Sequence, residues 1–337
     1  MRLGIALRSR IIGYLCWCWP SDGPPPDIEG LSMKVERTVS EFVWVAGLTV
    51  CLIFVSCGRE DRPNSNQMVD IGSHHLEVRV EGKGSPIVIL EAGISDHMDK
   101  LGPLQDRLAE VTQVLTYNRA GYGRSEPGPL PRDAGREAEE LKALLEKASV
   151  PGPYVLVGHS LGALIDEVFA SKYPDDTAGM VLLDPPPLSF LQGKDYAELG
   201  AMAEKMTAEW QAIADSAGGS SDPQERAKSS FFRMIASEHR EMFGGTARLV
   251  AAISTLGDIP LVVIAAGRPN PAFGEAAEEY QKYWVEQSRA LAAKSTNGEF
   301  ILVRESSHYL YLDVPQPVTE SVLSVVDQVR AKTPGGI

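Results

Sequence analysis

Residues 154–166 read YVLVGHSLGALID, and they place one serine, Ser160, between Gly158 and Gly162. A serine hydroxyl attacks a carbonyl carbon when a neighbouring base accepts its proton, so Ser160 is a candidate nucleophile. The apolar run before it is typical of a buried strand, and the pattern after it is typical of a helix. A strand that turns directly into a helix strains the turn residue, and side chains two positions to either side would collide with the neighbouring chain. The two glycines relieve that crowding.

The chain from residue 70 onward alternates strand patterns with helix patterns. The runs that are typical of strands read HHLEVRVEG, PIVILEAG, TQVLTYNRAG, YVLVG, GMVLLDP, IPLVVIAAG and EFILVRES. Helix patterns cover about 136–147, 161–172, 275–293 and 316–331. The alternation predicts an α/β protein with a mostly parallel sheet flanked by helices on both faces. In such a sheet ligands bind at the carboxyl ends of the strands, and Ser160 follows one of these ends.

The Gly-His-Ser-Leu-Gly pentapeptide, in this order of elements, resembles the nucleophile elbow of the α/β-hydrolase fold family. The resemblance covers residues 70–335. It implies an α/β-hydrolase domain and a serine hydrolase that cleaves an ester or related acyl bond of a small molecule through an acyl-enzyme. It implies no cofactor and no metal. Taken alone, the pentapeptide would also suit a glycine-rich helix start that is merely capped by its serine.

The same resemblance implies the base and the oxyanion hole. His308, in RESSHYLYLDVP, comes in the loop after the last predicted strand, where the family has its base. An oxyanion hole needs two backbone N–H groups aimed at the developing charge. We expect these from Leu161, directly after the nucleophile, and from Ile94, after the strand PIVILEAG. Family members commonly have His-Gly where this chain has Ala92-Gly93, but a main-chain donor does not depend on that side chain.

The sequence offers more than one candidate for the acid that, with Ser160 and His308, would complete a catalytic triad. Many relatives carry it after the strand that here reads IPLVVIAAG, but the first carboxylates there are Glu275 and Glu278. Asp184 ends the preceding strand in VLLDPPP, and neighbouring strands lie about 4.8 Å apart, so it can still reach a histidine loop folded over the sheet edge. We predict that Asp184 is this acid. The alternatives are one of the two later glutamates, or a triad without a working acid. Asn118, where relatives usually have Asp, is expected to shape the loop beneath the site.

An insertion of about seventy residues lies between Asp184 and Pro260, which is too long for a plain loop. It contains two helical patterns separated by the breaker GGSSDP. In the family such an insertion forms a helical lid, so we expect a lid at about 186–258. Its large apolar residues could line a substrate pocket, although at helical spacing most are expected to pack within the lid: Phe190, Met206, Trp210, Phe231, Phe232 and Met234.

Composition limits the class of protein and the partners. The chain has 337 residues with 44% apolar and 23% charged content, which suits one large α/β domain. The formal net charge is −13, and the first 57 residues hold five basic and five acidic side chains, so the whole acidic excess follows them. This charge argues against nucleic acid or an anionic membrane as a partner surface. All four cysteines lie within the first 57 residues, which excludes disulfides and cysteine-ligated metal from the rest.

The first 57 residues are expected to be a signal or anchor segment, followed by a linker at 58–69. Residues 42–55 form an uncharged apolar run that would reach about 21 Å as a helix, against a hydrocarbon core of about 30 Å. The run ends in FVSC, similar to a bacterial lipobox, with Met33 as an internal start. We predict an exported protein that is anchored to the membrane by lipidation of Cys57. A short uncleaved membrane anchor and a misassigned upstream extension are the alternatives.

The sequence favours one enzymatic class but does not choose among its reactions. An acyltransferase, a peptidase, a carbon–carbon hydrolase or a cofactor-free peroxidase-like enzyme would use the same triad. Relatives that cleave haloalkanes or epoxides use aspartate as the nucleophile, which the serine of this chain argues against. The rival from another class is a non-catalytic ligand-binding protein on a hydrolase scaffold. No feature of the sequence indicates an oligomeric state.

Overall fold

The computed structural model describes residues 66–187 and 197–332, and within them eight strands form one sheet. The strands are β1 (Gln67–Asp70), β2 (His75–Glu81), β3 (Ile87–Glu91), β4 (Val114–Tyr117), β5 (Tyr154–His159), β6 (Thr177–Leu183), β7 (Leu261–Ala266) and β8 (Gly298–Val303). Their order is β1-β2-β4-β3-β5-β6-β7-β8. The pairs β1–β2 and β2–β4 are antiparallel, and all the other pairs are parallel.

Helices cover both faces of this sheet. They are α1 (Gly102–Leu108), α2 (Ala134–Lys147), α3 (Leu161–Lys172), α4 (Ala197–Ala217), α5 (Pro223–Met242), α6 (Gly245–Ala252), α7 (Ala277–Ala292), α8 (Leu310–Asp313) and α9 (Pro315–Lys332). Alternate residues of β5 belong to opposite cores: Leu156 packs with residues of α2 and α3, and Val157 packs with residues of α1 and α9. Strands buried on both faces read as continuous apolar runs, which is why the sequence pattern located them. The predicted α/β architecture is confirmed.

The domain begins earlier than predicted. Residues 67–69 were expected in the linker, but they belong to β1, which pairs with β2 from Gln67 opposite Val78 to Asp70 opposite His75. Three of the four β1 residues are exposed, so this short edge strand lacks the apolar alternation that would reveal it. The predicted signal segment 1–57, the linker to residue 65 and the lipidation site Cys57 lie outside the described residues.

The long insertion between β6 and β7 is helical where it is described. It contains α4, α5 and α6, and α4 packs along α5. A small apolar cluster joins Trp210 of α4 and Met234 of α5 to Tyr122, which follows β4. Phe190 and its neighbours at 188–196 lie outside the described residues. Among the helices that are described, none is both long and apolar enough to cross a membrane.

Candidate active site

Ser160 occupies a strained turn between β5 and α3. Its φ of 54° and ψ of −118° lie outside the helical and extended regions that non-glycine residues prefer. A Cβ atom at Gly158 would come within 2.5 Å of Asp166 Oδ2, and one at Gly162 would come within 2.5 Å of the Glu91 carbonyl oxygen. Neither position therefore accepts a larger residue without movement of its neighbours. Crowding of this kind was expected from the spacing of the two glycines around Ser160.

His308 and Asp184 form a hydrogen-bonded pair. The ring Nδ1 of His308 lies 2.7 Å from Asp184 Oδ2, and both residues are buried. The other carboxylate oxygen, Oδ1, accepts a hydrogen bond of 3.0 Å from the backbone N–H of Ala266, at the end of β7. Because a carboxylate oxygen can only accept, Nδ1 is the donor of this bond, and the ring tautomer with its proton on Nδ1 has its lone pair on Nε2. The pair therefore fixes the tautomer that a general base needs.

The two other candidate acids lie elsewhere. Glu275 and Glu278 are exposed, at the end of a short 3₁₀ segment and at the start of α7. Asp184, in contrast, is 4% exposed and follows β6 directly, one strand away from the strand that ends at Ser160. The structure thus brings His308 together with Asp184.

Ser160 and His308 line the same cavity, which has a volume of about 100 Å³. Ile94 contributes to its wall from the loop after β3, and Met206 and Trp210 contribute from α4 of the insertion. An apolar cavity of roughly 150 Å³ holds a benzene molecule, so this one suits a group of a few carbon atoms. In residues 66–187 and 197–332, no group of three or more His, Cys, Asp or Glu side chains is placed to hold a metal ion.

Arg119 orients the loop that follows β3. Its guanidinium donates hydrogen bonds to the carbonyl oxygens of Ala92, at 2.6 Å, and Gly93, at 2.9 Å. In a trans peptide the C=O of one residue and the N–H of the next point in opposite directions. The N–H of Ile94 therefore points away from Arg119. Because Ile94 lines the cavity, this orientation suits the oxyanion donor that was predicted there. Leu161, the other predicted donor, is the first residue of α3, where backbone N–H groups have no partner within the helix.

A buried charge network surrounds Arg119, and the sequence analysis did not find it. Its members come from the end of β3, the β4 loop, α2 and the insertion helix α5: Glu91, Arg119, Arg132, Glu137, Glu140 and Glu238. Burial raises the pKa of Glu91 and, strongly, that of Glu137. Burial would also raise the pKa of Glu238, but the adjacent Arg119 holds it below its usual value.

Two buried side chains position loops of the site. Asn118 Oδ1 accepts from the Met98 N–H at 2.8 Å, and its Nδ2 donates to Glu77 Oε2 at 2.8 Å, which agrees with the structural role predicted for it. His159, beside the serine, has Nε2 2.9 Å from the carbonyl oxygen of His308. Burial lowers the pKa of His159 well below its usual value, so the neutral ring donates this bond and holds the His308 loop. Its place in the pentapeptide was the only signal for it.

Comparison with known proteins agrees with this fold. The profile of the Alpha/beta hydrolase family matches residues 87–321. The chain is 28% identical over 258 residues to the uncharacterized protein YqjL of Bacillus subtilis, covering 76% of this chain and 89% of YqjL. It is 31% identical over 133 residues to the 2-(acetamidomethylene)succinate hydrolase of Mesorhizobium japonicum, covering 40% and 47% of the two chains. A thermophilic esterase from Thermogutta terrifontis has a similar structure, with a TM-score of 0.58 at 18% identity, covering 78% of this chain and 98% of the esterase. The chain therefore belongs to the alpha/beta hydrolase family.

Proposed function

We propose that this protein is a serine hydrolase that cleaves an ester or related acyl bond. The observation that carries the proposal is that Ser160, in its strained turn, and His308, bonded to Asp184, line one cavity. Membership of the alpha/beta hydrolase family supports a hydrolase in the broader sense. A cavity with largely apolar walls suits a small neutral acyl compound.

In the proposed mechanism Ser160 Oγ attacks the substrate carbonyl carbon while His308 Nε2 accepts its proton. Asp184 holds the ring and stabilises the imidazolium that forms. The backbone N–H groups of Ile94 and Leu161 donate hydrogen bonds to the oxyanion. His308 then returns the proton to the leaving group, which leaves an acyl-enzyme on Ser160. A water molecule, deprotonated by the same ring, attacks the acyl carbon and releases the acid.

We further propose that the insertion serves as the lid of this site. Met206 and Trp210 of α4 and Met242 of α5 line the cavity beside Ser160. The buried pair of Glu238 on α5 and Arg119 ties the insertion to the oxyanion loop, since Arg119 also holds that loop's carbonyl groups. An apolar cover excludes water, which strengthens the electrostatic interactions of the reacting groups. The contacts of Arg119 would also hold the lid and the oxyanion donor of Ile94 in a fixed position relative to each other.

Labelling with a fluorophosphonate probe tests the nucleophile. We expect the full chain to be modified on Ser160, because such probes react with serines that an adjacent base activates. Ser160→Ala should abolish labelling. Ser149→Ala is the matched control, because Ser149 also has a positive φ, of 56°, but is exposed outside the cavity. A folded wild-type protein that stays unlabelled would contradict the proposal and favour a non-catalytic binding scaffold.

We also propose that the protein is exported and anchored by a lipid on Cys57, on the strength of the lipobox-like FVSC. In a bacterial host, Cys57→Ala should release the protein into the soluble fraction or leave the precursor uncleaved. Cys51→Ala, six residues earlier in the apolar run, is the control and should behave like wild type. Fractionation and the intact mass of the mature chain measure both. Unchanged membrane association at the same mature mass in Cys57→Ala would rule out lipidation there.

A further inference from the structure

His239 is a polar side chain of the cavity wall that has no part in the proposed mechanism. His239 lies on α5 of the insertion and lines the same cavity as Ser160. It is 8% exposed. Its neighbours in the wall are largely apolar, among them Met206 and Met242. A nitrogen heterocycle in such a wall is costly unless it has hydrogen-bond partners, so its bonding pattern shows what it can recognise.

The tautomer of His239 follows from its contact with Thr207 on α4. Thr207 Oγ1 lies 3.0 Å from the Ala203 carbonyl oxygen, one helical turn earlier, and 2.7 Å from His239 Nδ1. Thr207 Oγ1 donates its single proton to this carbonyl, four residues before it, as threonine hydroxyls within helices can do. Oγ1 can then only accept from His239, so Nδ1 carries the ring proton. The lone pair is left on Nε2.

The ring is neutral and held in place. Burial lowers the pKa of His239 to about 4, so it stays uncharged at ordinary pH. Two aromatic rings pack against it in T-shaped arrangements, with centroids 5.0 Å away for Trp210 and 5.4 Å away for Phe243. Among the described residues, the hydrogen bond that the His239 ring makes is the one to Thr207 through Nδ1. Nε2 is thus a fixed acceptor on a residue that lines the cavity.

We propose that His239 Nε2 accepts a hydrogen bond from the substrate, and that the enzyme acts on small neutral esters that carry a hydroxyl group. The inference rests on the proposed serine hydrolase activity and names the substrate class of that site. A hydroxyl is the smallest donor, so it fits a cavity of about 100 Å³ together with a few carbon atoms. An ester without a donor would displace water from this acceptor without replacing its hydrogen bond, which binding sites discriminate against.

Matched pairs of esters test the proposal on the full chain. One pair places the hydroxyl on the acyl side: ethyl 3-hydroxybutyrate, as each enantiomer, against ethyl butyrate. The other places it on the alcohol side: 3-hydroxypropyl acetate against propyl acetate. We expect kcat/KM to favour the hydroxylated member of at least one pair by about tenfold or more, as one buried hydrogen bond would give. The pair that shows the preference identifies which side of the ester contacts His239.

Variants then assign the preference to Nε2. His239→Phe removes the acceptor and should abolish the preference, while His239→Gln places an amide oxygen near Nε2 and should restore part of it. Thr207→Val removes the partner that keeps the proton on Nδ1, so it should weaken the preference without a change at the ring itself. Met242→Leu is the control: it alters the apolar lining at nearly constant volume and should affect both members of a pair alike.

Equal kcat/KM values for both members of each pair in the wild type would overturn the substrate class. A preference that persists unchanged in His239→Phe and Thr207→Val would overturn the role of His239. In both cases Ser160 would still be labelled and esters would still be hydrolysed, so the proposed function would stand. A wild-type protein that neither reacts with the fluorophosphonate nor hydrolyses any of the esters would overturn both.

Discussion

Ser160→Ala is expected to lower kcat for ester hydrolysis by about 10⁶-fold, and His308→Ala should lower it by a similar factor. Each variant removes one of two groups that are needed for the same step, because the hydroxyl is a poor nucleophile unless a base accepts its proton. The imidazole in turn has no bound nucleophile to activate once the hydroxyl is gone. Both side chains line the small cavity, so neither change is expected to unfold the domain. The measurement is kcat of each purified variant on the best ester found.

The double variant distinguishes a joint role from separate ones. If Ser160 and His308 act as a unit, the double alanine variant should be scarcely worse than either single variant. Ser149→Ala, at an exposed serine with similar backbone geometry, should keep wild-type turnover. Losses that multiply in the double variant would contradict the assignment, because they would mean that the two side chains contribute independently.

The sequence predicted the fold well wherever local pattern and burial agree. β3 and β5 are buried on both faces, so they appear in the sequence as short continuous apolar runs, which are easy to recognise. The turn at Ser160 was predictable because it demands glycine at two fixed offsets, and both glycines prove to face backbone or side-chain atoms within 2.5 Å of a would-be Cβ. β1 was missed because an exposed edge strand of four residues needs no apolar alternation.

The choice of the acid and the buried charge network could not be predicted, because both depend on contacts between distant parts of the chain. The sequence left Asp184 and Glu275 as alternatives because the loop of His308 is 124 residues away from Asp184, and only the folded chain shows which carboxylate it meets. Arg119 and Glu238 were invisible for the same reason. They are 119 residues apart, and each looks like an ordinary surface charge in its own segment. No local sequence pattern indicates that two charged side chains will be buried against each other.

Asp184→Asn should preserve the fold yet lower kcat by as much as ~10⁴-fold. The bonds of Asp184 show why an amide, although nearly the same shape, is the wrong group. Oδ1 accepts from the Ala266 N–H, so asparagine would keep its carbonyl oxygen there and turn its NH₂ toward His308. An NH₂ donor requires an unprotonated Nδ1, which moves the ring proton to Nε2. The base would then present a proton to Ser160 where the reaction needs a lone pair.

Glu275→Gln is the matched control, with the same carboxylate-to-amide change at an exposed site, and it should change kcat by less than about threefold. Turnover and melting temperature of both variants, measured side by side, separate the possible roles. If Asp184 only fixes the loop after β6, its asparagine variant should melt at a lower temperature but keep most of its turnover. A folded, active Asp184→Asn protein beside an inactive Glu275→Gln protein would move the acid to the later strand, where many relatives carry it.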